Sequence, residues 1–277
     1  MKANRSKRIW LTVIAIIVIA IIMGTFTACN DTPTGDEEVV VESGVKYVAH
    51  RGYSYRYPEN TEASFRAAAD LGFYGIETDI RKTKDGYYVC NHNDTVKYAD
   101  GSTLKIADND LATLTAKPVE NTKTSTPAHL CTFETYLQAC KSGGKVAVIE
   151  LKDYFSKSEF LNVLRIVDET YDRKQITFIS FSYVTLKEAQ KADPTVPLQY
   201  LSQTPNDAQF AQCLRNNISI DVKLSADPEK NVVTEELVTT FHNAGLTVNV
   251  WTIDTDGDLA AAREYGADYI TTDLFHN

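Results

Sequence analysis

The sequence contains few cysteines and, outside its first ten residues, no cluster of basic side chains. Five cysteines are spread over 277 residues with no Cys-x-x-Cys spacing, which disfavours both a zinc-binding motif and a dense disulfide framework. The 28 basic and 37 acidic residues give a net charge of −9. Because no local basic patch offsets this charge, we expect no nucleic-acid partner.

Long apolar runs are also absent, except at the start of the chain. A basic cluster at 2–8 precedes IWLTVIAIIVIAIIMG, an uncharged run of 16 residues. A bilayer-spanning helix needs roughly 20 apolar residues, so this run matches the apolar core of a signal peptide better. The following FTAC resembles a bacterial lipoprotein signal in which Cys29 is lipidated, although Phe26 replaces the usual aliphatic residue. An uncleaved N-terminal transmembrane anchor is the alternative interpretation.

These features divide the chain into three parts. We predict a lipoprotein-type signal peptide over 1–28, a polar and acidic tether over 29–45, and a folded body over 46–277. Both interpretations of the N-terminus place the body outside the cytoplasm, tethered to the cell membrane. Loss of the signal peptide removes four basic and no acidic residues, which changes the net charge to −13. An anionic substrate would therefore need a local cation, and no obligate protein partner is evident.

Short apolar, β-rich runs alternate with amphipathic helical stretches throughout the body. Such alternation is typical of a parallel sheet with crossover helices. The nine predicted strands are 46–50, 75–80, 87–92, 145–150, 175–180, 197–202, 218–223, 247–252 and 268–272.

A (β/α)8 barrel has eight parallel strands, one fewer than the nine predicted here. The third predicted strand, 87–92, is the one that does not belong to the parallel set. Only six residues separate Ile80 from Tyr87, whereas a parallel crossover needs about a dozen. Those six end in Asp85-Gly86, a hairpin signal. We therefore predict an α/β fold, a (β/α)8 TIM barrel with a β-hairpin extension of strand 2. We predict an insertion at 93–131 with no clear strand and a short helix near 107–114. Insertions of this length in a compact domain usually form a lid or cap.

Three carboxylates at the ends of the predicted barrel strands form a candidate metal site. Active sites of such barrels lie at the C-terminal ends of the strands. Glu77 and Asp79 are two residues apart and share one strand face, and Glu150 ends the next barrel strand. Converging oxygen ligands suit one hard divalent cation, Mg²⁺ or Ca²⁺. The alternatives are a solvated strand face or an ion pair for Glu77 and Asp79 and, for Glu150, a salt bridge to Lys152.

Two histidines are expected beside these acids. His50 ends the first strand, and a two-residue turn at Asp85-Gly86 would place His92 opposite Asp79, with Cβ atoms about 4.5–5.5 Å apart. Histidine titrates near neutrality and suits acid–base catalysis. The alternative for either histidine alone is a structural role.

Two cations lie at the same strand ends. Arg51 and Lys152 are donors suited to a phosphate or a carboxylate. The alternative is that each only pairs with an acid of the chain, Glu59 and Glu150 respectively.

Six motifs spread over the body resemble the glycerophosphodiester phosphodiesterase family, in its membrane-anchored bacterial lipoprotein form. They are AHRGYSYRYPENTEASF (49–65), GIETDIRKTKDG (75–86), VCNHND (89–94), VIELK (148–152), VNVWTID (248–254) and GADYITTD (266–273). The resemblance implies a barrel hydrolase that splits glycerophosphodiesters into an alcohol and glycerol 3-phosphate with one divalent metal ion.

The resemblance also implies a role for each matching residue. The implied roles are metal ligands for Glu77, Asp79 and Glu150, an acid–base pair for His50 and His92, phosphate binding for Arg51 and Lys152, and a wall of the glycerol pocket for Trp251. The chain departs from the family pattern at Asn93, which precedes Asp94, at Lys97, which replaces a frequent arginine, and after Asp273, where a frequent proline is missing. These departures concern the lip of the pocket and the choice of substrate.

Three alternative functions stay open at this point. The first is a lipid-tethered protein that binds phosphodiesters without cleaving them, since a fold alone does not guarantee activity. The second is a lysophospholipase D-like enzyme, and the third is a hydrolase of glycerol-phosphate polymers of the cell wall.

Overall fold

A computed structural model describes residues 45–224 and 231–274 of the chain. The predicted signal peptide with Cys29, and the tether up to residue 44, lie outside these ranges. Within the described ranges, no helix is both long and apolar enough to cross a membrane.

Eight parallel strands close into a barrel, as predicted. The strands of the described ranges are β1 (Lys46–Ala49), β2 (Gly75–Lys82), β3 (Tyr88–Cys90), β4 (Thr95–Lys97), β5 (Thr103–Lys105), β6 (Pro118–Val119), β7 (Ala128–His129), β8 (Cys131–Thr132), β9 (Val146–Leu151), β10 (Ile176–Ser180), β11 (Leu198–Ser202), β12 (Ser219–Lys223), β13 (Val248–Trp251) and β14 (Tyr269–Thr272). The order of the parallel strands around the barrel is β1, β2, β9, β10, β11, β12, β13 and β14, and β1 pairs with both β14 and β2.

Helices connect the barrel strands and cover the outside of the barrel. Most begin at a polar residue whose side chain accepts a hydrogen bond from the first turn, such as Thr61, Ser156 and Asn206. The helices are α1 (Glu62–Asp70), α2 (Leu111–Thr115), α3 (Phe133–Gly143), α4 (Lys157–Thr170), α5 (Tyr183–Ala192), α6 (Asp207–Arg215), α7 (Glu235–Asn243) and α8 (Asp256–Glu264).

Side chains of the barrel strands alternate between the helix-facing core and the barrel interior. The interior contains an apolar cluster of Val48, Val148, Ile179 and Leu201. The interior also contains buried polar side chains, namely Gln199, Asp221, Asn249 and Thr271. In a closed barrel, alternate residues of every strand point into the interior. These four polar side chains therefore lie inside the barrel and not on its outer surface.

The predicted hairpin extension is present, but its register differs from the prediction by one residue. β3 runs antiparallel to β2, with Ile80 opposite Cys90. The turn has three residues rather than two, because Thr83 closes it: the Tyr87 backbone N–H donates to Thr83 Oγ1 at 3.0 Å. Asn91, not His92, therefore lies opposite Asp79.

The insertion at 93–131 is more ordered than the sequence indicated. β4 pairs with β5, β6 pairs with β7, and β8 extends the main sheet by pairing with β3. Strands of two or three residues are too short for a visible alternation, which is why the expectation of no strand here was wrong. A 3₁₀ turn (Ile106–Asp108) and helix α2 replace the short helix predicted near 107–114. The insertion packs against β3 through a small separate core, formed by Val89 of β3 and by Val96, Tyr98, Ile106, Leu114 and Leu130.

The cysteines of the described part of the chain are buried thiols. Cys90, Cys131, Cys140 and Cys213 are all free.

Candidate active site

Three buried carboxylates meet at the C-terminal ends of β2 and β9. Glu77, Asp79 and Glu150 each place an oxygen within 4.8 Å of the other two. The parallel register sets Asp79 directly beside Glu150. Burial, then the charge of Asp79, raises the pKa of Glu150 to about 7. Burial likewise raises the pKa of Glu77 well above its usual value, with Asp79 adding to the effect.

Asp79 carries the clearest signature of a ligand position. Asn60 Nδ2 donates to Asp79 Oδ2 at 2.8 Å, whereas Oδ1 is buried and has no hydrogen-bond partner among the described residues. Burial alone would raise the pKa of Asp79, but Arg51 and Lys152 outweigh it and lower the pKa. A buried, ionised carboxylate with one oxygen that accepts no hydrogen bond, next to two further carboxylates, fits a hard divalent cation.

Asn60 itself was not identified from the sequence as a site residue. Its Oδ1 accepts a hydrogen bond from Thr78 Oγ1 at 2.8 Å, which fixes the amide so that the NH2 group faces Asp79. The signal that could have identified it is its place in the Pro-Glu-Asn-Thr motif, directly before helix α1.

The turn after β1 holds Arg51 against the acids. Arg51 has a left-handed backbone (φ 56), and its backbone N–H donates to Glu77 Oε2 at 2.8 Å. The next residue, Gly52, also has a positive φ of 79, and a Cβ there would lie 2.5 Å from Ser64 Oγ. Only glycine therefore fits at this position, which explains the His-Arg-Gly sequence.

Arg51 and Lys152 each form the salt bridge that was considered as the alternative to phosphate binding. Each also lies close to the carboxylate triad. Arg51 Nη1 donates to Glu59 Oε2 at 2.9 Å, and its Nε lies 3.3 Å from Asp79 Oδ2. Lys152 Nζ lies 2.9 Å from Glu150 Oε1 and 3.4 Å from Asp79 Oδ1. The two cations thus offset part of the negative charge of the three carboxylates.

His50 is held by the last strand of the barrel. Its Nδ1 lies 2.6 Å from Asp273 Oδ1, and Ser54 Oγ donates to the same oxygen at 2.9 Å. Burial alone would raise the pKa of Asp273, but the hydrogen bonds from His50 and Ser54 lower it. The pairing of Nδ1 with an ionised carboxylate leaves Nε2 of His50 for proton transfer.

His92 reaches the same cavity by a different route from the one predicted. The chain leaves the β3 ladder after Cys90, and Arg81 Nε and Nη2 donate to the His92 carbonyl at 3.1 and 2.7 Å. Burial, then the charge of Arg51, lowers the pKa of His92. The lowered pKa favours the neutral imidazole, which can accept a proton.

A cavity of about 170 Å³ opens where these groups meet. Phe181 and Trp251 form an aromatic wall, with ring centroids 5.7 Å apart and planes at 89°. The sequence-predicted site residues in its lining are His50, Arg51, Glu77, His92, Glu150, Lys152 and Trp251. The lining also includes Gln203 and Asp221, which the sequence pattern did not identify as site residues. A second, polar cavity of about 360 Å³ shares His50 and Arg51 and extends to Lys97 and Glu120 of the insertion.

Comparisons with known proteins agree with this fold and identify the family of the chain. The family model described as "Glycerophosphoryl diester phosphodiesterase family" matches residues 50–276. A glycerophosphodiester phosphodiesterase of Caldanaerobacter subterraneus is 26% identical over 232 residues, covering 82% of this chain and 93% of that protein.

Two solved structures show the same fold. A putative glycerophosphoryl diester phosphodiesterase from Silicibacter pomeroyi has a TM-score of 0.72 and 22% identity, covering 84% of this chain and 91% of that chain. An Oleispira antarctica phosphodiesterase, solved in complex with the product sn-glycerol-3-phosphate, has a TM-score of 0.71 and 20% identity, covering 82% and 92%.

Proposed function

The chain belongs to the glycerophosphoryl diester phosphodiesterase family and is a phosphoric diester hydrolase, and from this premise we propose that it cleaves glycerophosphodiesters into glycerol 3-phosphate and an alcohol by divalent-metal-dependent, two-histidine catalysis. The observation that carries the proposal is the buried carboxylate triad of Glu77, Asp79 and Glu150 beside two histidines of one cavity. A divalent cation bound to the triad would supply positive charge at the phosphodiester and lower the barrier to attack at phosphorus.

The residues of the chain bind and orient the phosphodiester. Arg51 and Lys152 donate hydrogen bonds to the phosphate oxygens, whose negative charge grows in the transition state. Both donors are already held beside Asp79, so little reorganisation is needed when the substrate arrives.

Proton transfer is divided between the two histidines. The lowered pKa of His92 favours its neutral form, so this histidine accepts the proton of the attacking hydroxyl, from water or from the glycerol moiety. His50, oriented through Nδ1 by Asp273, donates a proton from Nε2 to the leaving alkoxide.

The assay that tests this function uses the full chain in detergent with glycerophosphocholine. We expect release of glycerol 3-phosphate and choline, and a loss of about 100- to 10,000-fold in kcat for His50→Gln or His92→Gln. The control variant is His129→Gln, a histidine of β7 outside the 170 Å³ cavity. Tight binding of glycerophosphocholine without turnover would instead favour the binding-protein alternative.

We further propose that the mature chain is an exported lipoprotein anchored through Cys29. The support is the basic cluster, the 16-residue apolar run and the FTAC motif at the N-terminus. In cells fed a labelled fatty acid, the wild-type chain should carry the label and sediment with membranes. Unchanged processing and membrane attachment of Cys29→Ser would contradict the lipid anchor and favour an uncleaved transmembrane segment.

A further inference from the structure

Asp221 lies in the wall of the 170 Å³ cavity with one oxygen left unpaired. The residue is in β12 and is only 1% exposed. Asp221 Oδ1 is fully buried and has no hydrogen-bond partner among the described residues. Buried polar atoms are rarely left without a partner, because the loss of hydration is not repaid. Because Asp221 also lines the cavity, a group of the bound substrate is available as the partner of this oxygen.

The polar neighbours of Asp221 leave Oδ1 without a hydrogen bond. Asn249 is beside Asp221 in the parallel register. Its side chain forms a hydrogen bond with the Asp221 carboxyl group and also donates from Nδ2 to Thr271 Oγ1 at 3.2 Å, but Oδ1 itself has no partner among the described residues. Trp251 Nε1 donates to the backbone carbonyl of Asp221 at 3.4 Å rather than to the carboxyl group. Neither neighbour therefore donates a hydrogen bond to Asp221 Oδ1.

The cavity has two chemically different sides. One side carries the phosphate and metal chemistry, with Arg51, Glu150 and Lys152. The other side is apolar, with Ile179, Leu201 and Trp251, and Asp221 lies among the residues of this lining. A volume of about 170 Å³ is small beside the roughly 300–1,000 Å³ of pockets for drug-sized ligands. This side suits a small polyol with apolar C–H faces and few hydroxyl groups.

On the basis of the proposed function, we propose that Asp221 is a specificity-determining residue that forms a hydrogen bond with a free hydroxyl of the substrate's glycerol moiety. A hydroxyl group both donates and accepts hydrogen bonds, so it can pair with the carboxyl group in either protonation state. The substrate class is accordingly a phosphodiester whose glycerol carries an unesterified hydroxyl group facing β12.

Gln199 provides a matched control for this proposal. Its side-chain oxygen is also buried without a hydrogen-bond partner in the described part of the chain. It lies on the adjacent strand β11, two residues before Leu201, and it does not line the 170 Å³ cavity. Gln199→Leu removes the same kind of unpaired oxygen from the barrel interior without changing the cavity wall.

The experiment compares kcat/KM of the full chain for glycerophosphocholine and for two analogues that each lack one hydroxyl group, the phosphocholine esters of propane-1,2-diol and propane-1,3-diol. Sites built around a hydroxyl group reject the analogue that lacks it by up to about 10⁴–10⁵-fold. We expect wild type, Asp221→Asn and Gln199→Leu to prefer glycerophosphocholine over at least one analogue by about 100-fold or more. In Asp221→Leu that preference should fall to below about tenfold, mainly through a higher KM for glycerophosphocholine.

The outcomes separate this inference from the proposed function. An unchanged preference against both analogues in Asp221→Leu, with wild type active, would overturn the role of Asp221 alone. Absence of glycerophosphocholine hydrolysis by wild type would overturn the proposed function and the inference together. A purely structural role of Asp221 predicts a lower melting temperature for Asp221→Leu with unchanged preference, and that result also contradicts the proposal. If Asp221→Leu does not fold, the same ratios in Asp221→Ala decide.

Discussion

His50 Nδ1 and Asp273 Oδ1 lie 2.6 Å apart, a contact that joins the end of the first barrel strand to the end of the last. Asp273 is fixed in turn, because its backbone N–H donates to Asp254 Oδ1 at 2.8 Å. The orientation of a proposed proton donor therefore depends on closure of the barrel. This contact gives the first prediction.

Asp273→Asn should lower kcat by about 10- to 1,000-fold while KM changes by less than about threefold, because the His50 ring loses the carboxylate that orients it. The measurement is steady-state hydrolysis of glycerophosphocholine with circular dichroism as a check of folding. His242→Gln is the matched control, since it breaks the 2.8 Å pair of His242 with Asp268 at the other end of β14. Equal activity of Asp273→Asn and wild type would contradict the role of this pair.

The metal-free protein should become less stable as the pH rises from about 4.5 to about 7. The pKa of Glu150 in the folded chain is raised to about 7 from an ordinary 4.5, so between these values the folded state binds more protons than the unfolded state. The stabilising contribution of protonated Glu150 is complete below about 4.5 and is lost as the pH rises through about 7.

Thermal unfolding in EDTA at about pH 5 and about pH 8 measures this effect. Glu150→Gln should flatten the dependence, since glutamine does not titrate. Added Mg²⁺ or Ca²⁺ should raise the melting temperature more at the higher pH, because protons compete with the cation for carboxylates. An equal effect of the cation at both pH values would argue against binding at this triad.

Asn60→Ala should weaken binding of the catalytic cation by about 10- to 100-fold, the usual effect of losing a group that orients a metal ligand. Asn60 orients Asp79 through the 2.8 Å hydrogen bond to Oδ2. The cation concentration that gives half-maximal activity measures the change. Asn109→Ala, which removes a side-chain hydrogen bond to the Lys105 carbonyl within the insertion, is the control and should leave this concentration unchanged.

Gly52→Ala should destabilise the protein by about 2–4 kcal/mol and nearly abolish activity, because strain from a positive φ adds to a steric clash. The added Cβ would lie 2.5 Å from Ser64 Oγ and would displace Arg51, whose N–H binds Glu77. Gly101 has a similar φ of 80 but open space around a Cβ, so Gly101→Ala should cost only about 1–2 kcal/mol and preserve activity. Chemical denaturation of both variants separates strain from clash.

The barrel could be predicted from the sequence because its strands are short apolar runs separated by helices with clear capping residues. The hairpin at Asp85-Gly86 was predictable, whereas its register was not. Thr83 rather than Lys84 pairs with Tyr87, so Lys84 becomes a third residue of the turn. His92 nevertheless reaches the cavity, since Arg81 holds its carbonyl after the chain leaves the ladder.

The site was predictable where charged residues end apolar strands, as Glu77, Asp79 and Glu150 do. Asp221 was missed because ISIDVK reads as a strand with one polar face, and a polar face usually meets solvent. In a closed barrel the same face points inward, so Asp221 is a cavity residue rather than a surface one. Asn60 was missed because its role depends on a contact with a strand 19 residues away in the sequence.

We propose that one divalent cation at Glu77, Asp79 and Glu150 supports phosphodiester hydrolysis. The rate of glycerol 3-phosphate release from glycerophosphocholine tests this proposal most directly. With the full chain stripped of metal by EDTA, we expect the rate to fall by at least about 100-fold and to recover when Mg²⁺ or Ca²⁺ is added back in excess. An undiminished rate in EDTA would contradict the account.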